Sequence, residues 1–285
     1  MNKYLPFIVV TLLIGSAFFF SRNTRVAQSH RSYEIDVIQK PHADQVILNE
    51  PTTIKYRIKN DKGEIVKNFA IAHEKLMHFI IVRKDLMQFQ HLHPTFNKET
   101  GEFSVDVELS VNGTYRFFAD FTPGVENPMK LPVVVYSDVA TEEDSVNMPL
   151  VIDNAQTKTV DGYEITYLFP DEKQMKKQED ITYGLIIEKD GKPVNDLEPY
   201  LGARGHSVII KQSSLDYIHT HALDTNQSQQ NGHSVGHQTM QKEADERGSS
   251  IDFTTTFPQA GIYKIFTQFQ HQGNVLTTEY AVEVK

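Results

Sequence analysis

Cysteine is absent from all 285 residues. No disulfide can brace the fold, no thiolate can hold a metal, and no lipid-modified cysteine can anchor the chain. Any metal site must therefore draw on nitrogen, oxygen or thioether ligands. Tryptophan is missing too, which excludes nothing. Positive charge is scarce: 28 Lys and Arg stand against 37 Asp and Glu, for a net charge of -9. Such a surface repels a phosphate backbone and carries no basic stripe, so no nucleic acid is expected as a partner. Also lacking are a nucleophile elbow, a phosphate loop, a dinucleotide fingerprint and a reliable pair of catalytic carboxylates. Gly202-Ala-Arg-Gly205 bears glycine but precedes a strand, without the helix that phosphate binding needs. An enzyme is not expected.

Long apolar runs are lacking except at the start, where Lys3 precedes an unbroken stretch from Leu5 to Phe20. That layout is an export signal. Phe18, Phe19 and Phe20 stand where small residues would mark cleavage, so the segment is expected to stay as an anchor, although it falls short of the roughly 17–25 residues of a full span. Residues 1–31 are thus read as a hydrophobic helix and stalk. The rest would lie outside the cytoplasmic membrane, anchored to its outer face or secreted.

What is abundant is β-forming sequence. Hydrophobic residues make up 39% and aromatics 10%, enough for packed cores. Runs such as YEIDVI, TTIKYRIK, HFIIV, MQFQHLH, GEFSVDVEL and GTYRFFADF are strand-sized and separated by turn signals. The pattern also repeats. PTTIKYRIKNDKGEIV from Pro51 aligns with EDITYGLIIEKDGKPV from Glu179, and at this displacement of 128 positions His78 falls on His206, His91 on His219 and His93 on His221. NGTYRFFADF and AGIYKIFTQF then align at 148, which places about 20 extra residues in the second copy. The expected architecture is all-β: two tandem immunoglobulin-like sandwiches, at 32–137 and 155–285, with a linker over 138–154 and a polar histidine-containing insertion over 224–250. Tyr115 and Tyr263 would open a late strand in each module, where such sandwiches place a corner tyrosine.

The histidines are the candidate site. A tight turn at Lys84 and Asp85 sets His78 opposite His91, with His93 two positions on and so on the same face. A turn at Gln212 and Ser213 does the same for His206, His219 and His221. On that face lie Ile80, Val82, Met87 and Phe89, read as the sandwich core. Three clustered imidazoles that persist while their neighbours drift point to a metal site, because burying them demands partners and protonating them together is self-repelling. Structural histidines and a proton-sensing cluster are the alternatives. Neutral imidazole suits copper, zinc, nickel and iron, with copper ranked first and zinc second. Asp120 is a weaker ligand candidate, its counterpart being Gln268, and reads rather as a solvated strand residue or an outer partner. His233 and His237, as GHSVGH in the insertion, are weaker candidates for loose capture, or incidental. Met77 and Met87 read as core or surface methionines. His42, His73 and His271 are expected at the surface.

The HxH strand with its upstream histidine, followed by GTYRFFADF or GIYKIFTQF, resembles exported bacterial metal-handling modules of the CopC-like and YtkA-like β-sandwich kind, over both modules. That resemblance implies copper and an exported or membrane-bound partner protein that handles metal. CopC-like proteins often use a mature N-terminal histidine, and none can be placed here. The expected function is capture, buffering or delivery of a transition metal outside the cytoplasm. The alternative is a non-catalytic cell-surface scaffold or adhesion protein whose histidines are structural.

Overall fold

The computed structural model describes residues 24–26, 33–39, 48–124, 132–141, 149–171, 175–223 and 250–285. Among these residues the chain is all-β, without a helix. No helix of the described residues is long and apolar enough to cross a membrane, and the expected N-terminal helix lies outside them.

The first sandwich has one sheet of β2 (Tyr33–Gln39), β3 (Pro51–Asn60), β8 (Glu102–Glu108) and β7 (Thr95–Asn97). Its other sheet runs β10 (Val133–Ala140), β9 (Thr114–Pro123), β5 (Met77–Arg83) and β6 (Phe89–Leu92), with β4 (Phe69–Ala70) also beside β9. In the second sandwich, β11 (Thr157–Val160), β12 (Tyr163–Leu168), β13 (Asp180–Lys189) and β14 (Lys192–Pro193) are joined by β17 (Ser250–Thr256). Facing them are β1 (Thr24–Val26), β16 (Tyr217–His221), β15 (His206–Lys211), β18 (Gly261–His271) and β19 (Asn274–Val284). The expected stalk thus supplies β1 to the second module, and β10 extends into the stretch expected as linker.

Inward-facing residues of the strands fill the cores. In the first module Tyr56 stacks between Phe79 and Phe103, with ring centroids 4.7 and 5.4 Å apart. In the second, Tyr183 stacks on Phe253 at 5.2 Å. The corner tyrosines are present: the Tyr115 hydroxyl donates to the Val111 carbonyl, and that of Tyr263 to the Gln259 carbonyl at 2.7 Å.

A third apolar cluster lies between the modules. Ile80, Val82 and Phe118 meet Val208, Ile210 and Phe266, and Phe89 stacks on Phe266 at 4.4 Å. The sheets carrying β5 and β15 are therefore covered on both faces, and the whole is a stack of four β-layers. This corrects the expectation that His78, Ile80 and Val82 line their own sandwich core. Met77, Phe79 and Ile81 do that, while the histidine face turns to the other module. Every residue of β5 and of β15 is buried, so these strands read as continuous rather than alternating runs.

The hairpin register also differs from expectation. Four-residue loops replace the two-residue turns: the Arg83 N–H donates to the Gln88 carbonyl, and Lys211 to Asp216. Leu86 and Leu215 take left-handed backbone there, with φ of 62° and 57°. Ile80 consequently pairs with His91, and His206 with His221. The slip is two positions in each hairpin. Because the side-chain period is two, the histidines keep a common face.

Candidate metal centre

Each triad comes from the start of one strand and the end of its hairpin partner. His78 is second in β5, His91 third in β6, and His93 just beyond it. His206 opens β15, and His219 and His221 end β16. In both triads, one nitrogen from each ring lies within 4.8 Å of the other two. The second triad is buried throughout. In the first, His78 is buried while His91 and His93 are half-buried.

For neutral rings, the oxygen acceptors around the triads assign the protons. A neutral imidazole has one N–H. His78 donates from Nε2 to the Ala72 carbonyl at 3.1 Å, leaving a lone pair on Nδ1. His91 donates from Nδ1 to Gln268 Oε1 at 2.7 Å, leaving a lone pair on Nε2. Gln268 is itself oriented by its Nε2–H, which donates to Thr277 Oγ1 at 3.0 Å. The two lone pairs, His78 Nδ1 and His91 Nε2, then face each other at 3.0 Å. The second triad copies this. His206 Nε2 donates to the Leu201 carbonyl at 3.3 Å, His219 Nδ1 donates to Asp120 Oδ2 at 2.8 Å, and His206 Nδ1 meets His219 Nε2 at 3.4 Å. Opposed lone pairs repel unless a cation lies between them. Imidazoles on a four-coordinate ion with bonds of 2.0–2.1 Å place their nitrogens ~3.4 Å apart, close to both spacings. In addition His93 Nε2 is buried with no hydrogen-bond partner among the described residues.

Protonation does not come easily here. Burial, and then the neighbouring His78 and His93, hold His91 well below the usual histidine range. His93 is pushed down to about 3 by burial, helped by His78 and Lys75. His206 is likewise lowered to about 3 by burial, with His78 and His73 adding to it. Neutral rings of this kind are the form that binds metal.

The two triads are not separate. The ring centroids of His78 and His219 are 5.5 Å apart, and those of His78 and His206 6.4 Å. Their outer partners are exchanged between modules. Asp120 pairs with His78 in the β9–β5 ladder, yet its carboxylate accepts from His219 and, at 3.2 Å, from the Tyr217 hydroxyl. Gln268 pairs with His206 in the β18–β15 ladder and serves His91. Asp120 thus sits beside His78 on its own sheet while its carboxylate serves the other module's triad as an outer partner.

His73 was expected at the surface, but it belongs to this centre. Its ring stacks on His221 at 3.6 Å and lies 5.8 Å from that of His206. A tight loop with left-handed His73 and Glu74 presents it, and the same loop recurs at Leu201 and Gly202. The repeat hid it, because His73 aligns with a leucine. Gln268 was legible only as the counterpart of Asp120. His271 corrects a further expectation: it is buried, bonded at Nδ1 to the Tyr163 hydroxyl at 2.8 Å and paired at Nε2 with Asp196 at 3.2 Å. Met77 is core and Met87 exposed. His42, His233 and His237 lie outside the described residues.

Fold and site together define a tandem β-sandwich protein with a histidine-rich centre between its modules. The chain belongs to the family described as Domain of unknown function (DUF8832), whose model matches residues 34–136 and 158–285. Among curated proteins no relative matches. Of solved structures, the Escherichia coli adhesin FdeC is similar at 12% identity over 92% of this chain and 66% of its own, with a TM-score of 0.25. The D00-D0 domain of intimin is similar at 11% identity over 89% of this chain and 99% of its own, with a TM-score of 0.22. Salmonella alpha-2-macroglobulin is similar at 8% identity over 93% of this chain and 15% of its own, at 0.24. Likenesses this faint give no ground for an activity or a partner.

Proposed function

We propose that this protein binds a transition-metal ion in each histidine triad, copper first and zinc next, and serves outside the cytoplasm to capture, buffer or hand on that metal. The observation that supports it is the pair of opposed lone pairs, repeated at 3.0 and 3.4 Å in the two modules. The other nitrogen of His78, His91, His206 and His219 is in each case committed to an oxygen acceptor, the arrangement by which proteins orient metal-ligating histidines. When bound, the ion would supply the positive charge that these nitrogens lack. His78, His91 and His93 would hold one ion, and His206, His219 and His221 the other. The role is binding rather than catalysis.

A second reading is a non-catalytic cell-surface scaffold or adhesion module whose histidines are structural. The crossed bonds from His91 to Gln268 and from His219 to Asp120 favour it, since they fasten the modules without an ion.

Elemental analysis of the purified chain, after equilibration with copper and with zinc, separates the two. Close to two ions per chain are expected, and His91→Ala combined with His93→Ala should leave one. A chain that retains none, and whose melting temperature does not move when metal is added, overturns the metal reading and leaves the scaffold.

A further inference from the structure

The two triads differ in the outer partner of one ring. The ring that closes the second, His219, donates to a carboxylate, Asp120, whereas the matching ring of the first, His91, donates to an amide, Gln268. Asp120 and Gln268 occupy the same place in the repeat, on β9 and β18, and each crosses to the other module. Asp120 is fully buried, and besides His219 it accepts from Tyr217, so its carboxyl group is held in place and away from solvent.

We propose that the sites are unequal, and that Asp120, a first-module residue, makes the second-module triad the tighter one, filled before the first. This rests on the metal reading above. The reason is electrostatic. Three neutral imidazoles bring no charge to a divalent cation. An anion on the far nitrogen of one of them enriches the ring's lone pair and neutralises part of the ion's charge, while an amide in the same place only orients the ring. Outer partners of this kind are worth about 10–100-fold in metal affinity. The half-buried first triad, with its weaker hold, is then the face at which ions enter and leave.

Calorimetric titration of the full chain with Zn²⁺ tests this. Two steps are expected, separated by about 10–100-fold. His91→Ala with His93→Ala should keep the tighter step, and His219→Ala with His221→Ala the weaker one. Asp120→Asn preserves an acceptor for His219 and Tyr217, and should weaken the tighter step until the two merge. Gln268→Glu should strengthen the weaker step, a gain that a merely structural role would not produce. It also carries the test should Asp120→Asn fail to fold. Two equal steps in the unmodified chain, or affinities indifferent to Gln268→Glu, overturn the inference and leave the two sites standing. Absence of any Zn²⁺ and Cu²⁺ binding removes the sites themselves.

Discussion

A histidine held neutral by burial is a poor base and an available ligand, and both properties have consequences that can be measured. His206 titrates at about 3 in the folded chain against 6.5 for an unperturbed ring, and His93 behaves the same way. Between those values the unfolded chain binds more protons than the folded one. The contribution to stability is therefore complete above pH 6.5 and is lost as pH falls toward 3, at about 1.4 kcal/mol per pH unit for buried His206. Urea midpoints of the metal-free chain, followed downward from about pH 7, should decline steadily. A midpoint that stays constant to about pH 4 contradicts this placement of the rings. Residue types at this scale were legible early: six histidines at repeated spacing stood out. His73 did not, because what brings it to His221 is a left-handed loop reaching from the other module.

The hairpin is the element that gathers each triad. Its turn could not be read from sequence: Lys84-Asp85 and Gln212-Ser213 suit a two-residue turn as well as part of a four-residue loop. Burial of Leu86 and Leu215 in the inter-module cluster favours the longer loop and carries both leucines into left-handed backbone. The convergence of the histidines was nonetheless legible, because the displacement in register is even. The corner tyrosines are a second device at this scale. Tyr263→Phe deletes a hydroxyl that ties the start of β18 to the preceding turn, and should cost about 1 kcal/mol in urea unfolding. Tyr115→Phe should do the same in the first module. Unchanged stability in both would mean that the corners are incidental.

At the scale of the molecule, the two sandwiches are joined by an apolar seam with histidines at one end. Phe266 sits in that seam against Phe89 and is 1% exposed. Phe266→Ala should lower stability by about 3–5 kcal/mol, and should weaken metal retention in both triads, since it loosens the packing beside β6 and β18 together. Full retention of metal by this variant would show that the triads are assembled without the seam. The sequence alone determined the repeat, the all-β sandwiches, the tyrosine corners and the two sets of three histidines, since these depend on local periodicity and on comparing one module with the other. Only the tertiary structure decided which face the histidines occupy. A strand covered on both sides carries apolar residues on both, so its pattern does not say which cover is its own core and which is a neighbour. The same limit hid the exchange of Asp120 and Gln268. Residues facing a neighbour are chosen by what that neighbour presents, and that is settled when the two modules dock.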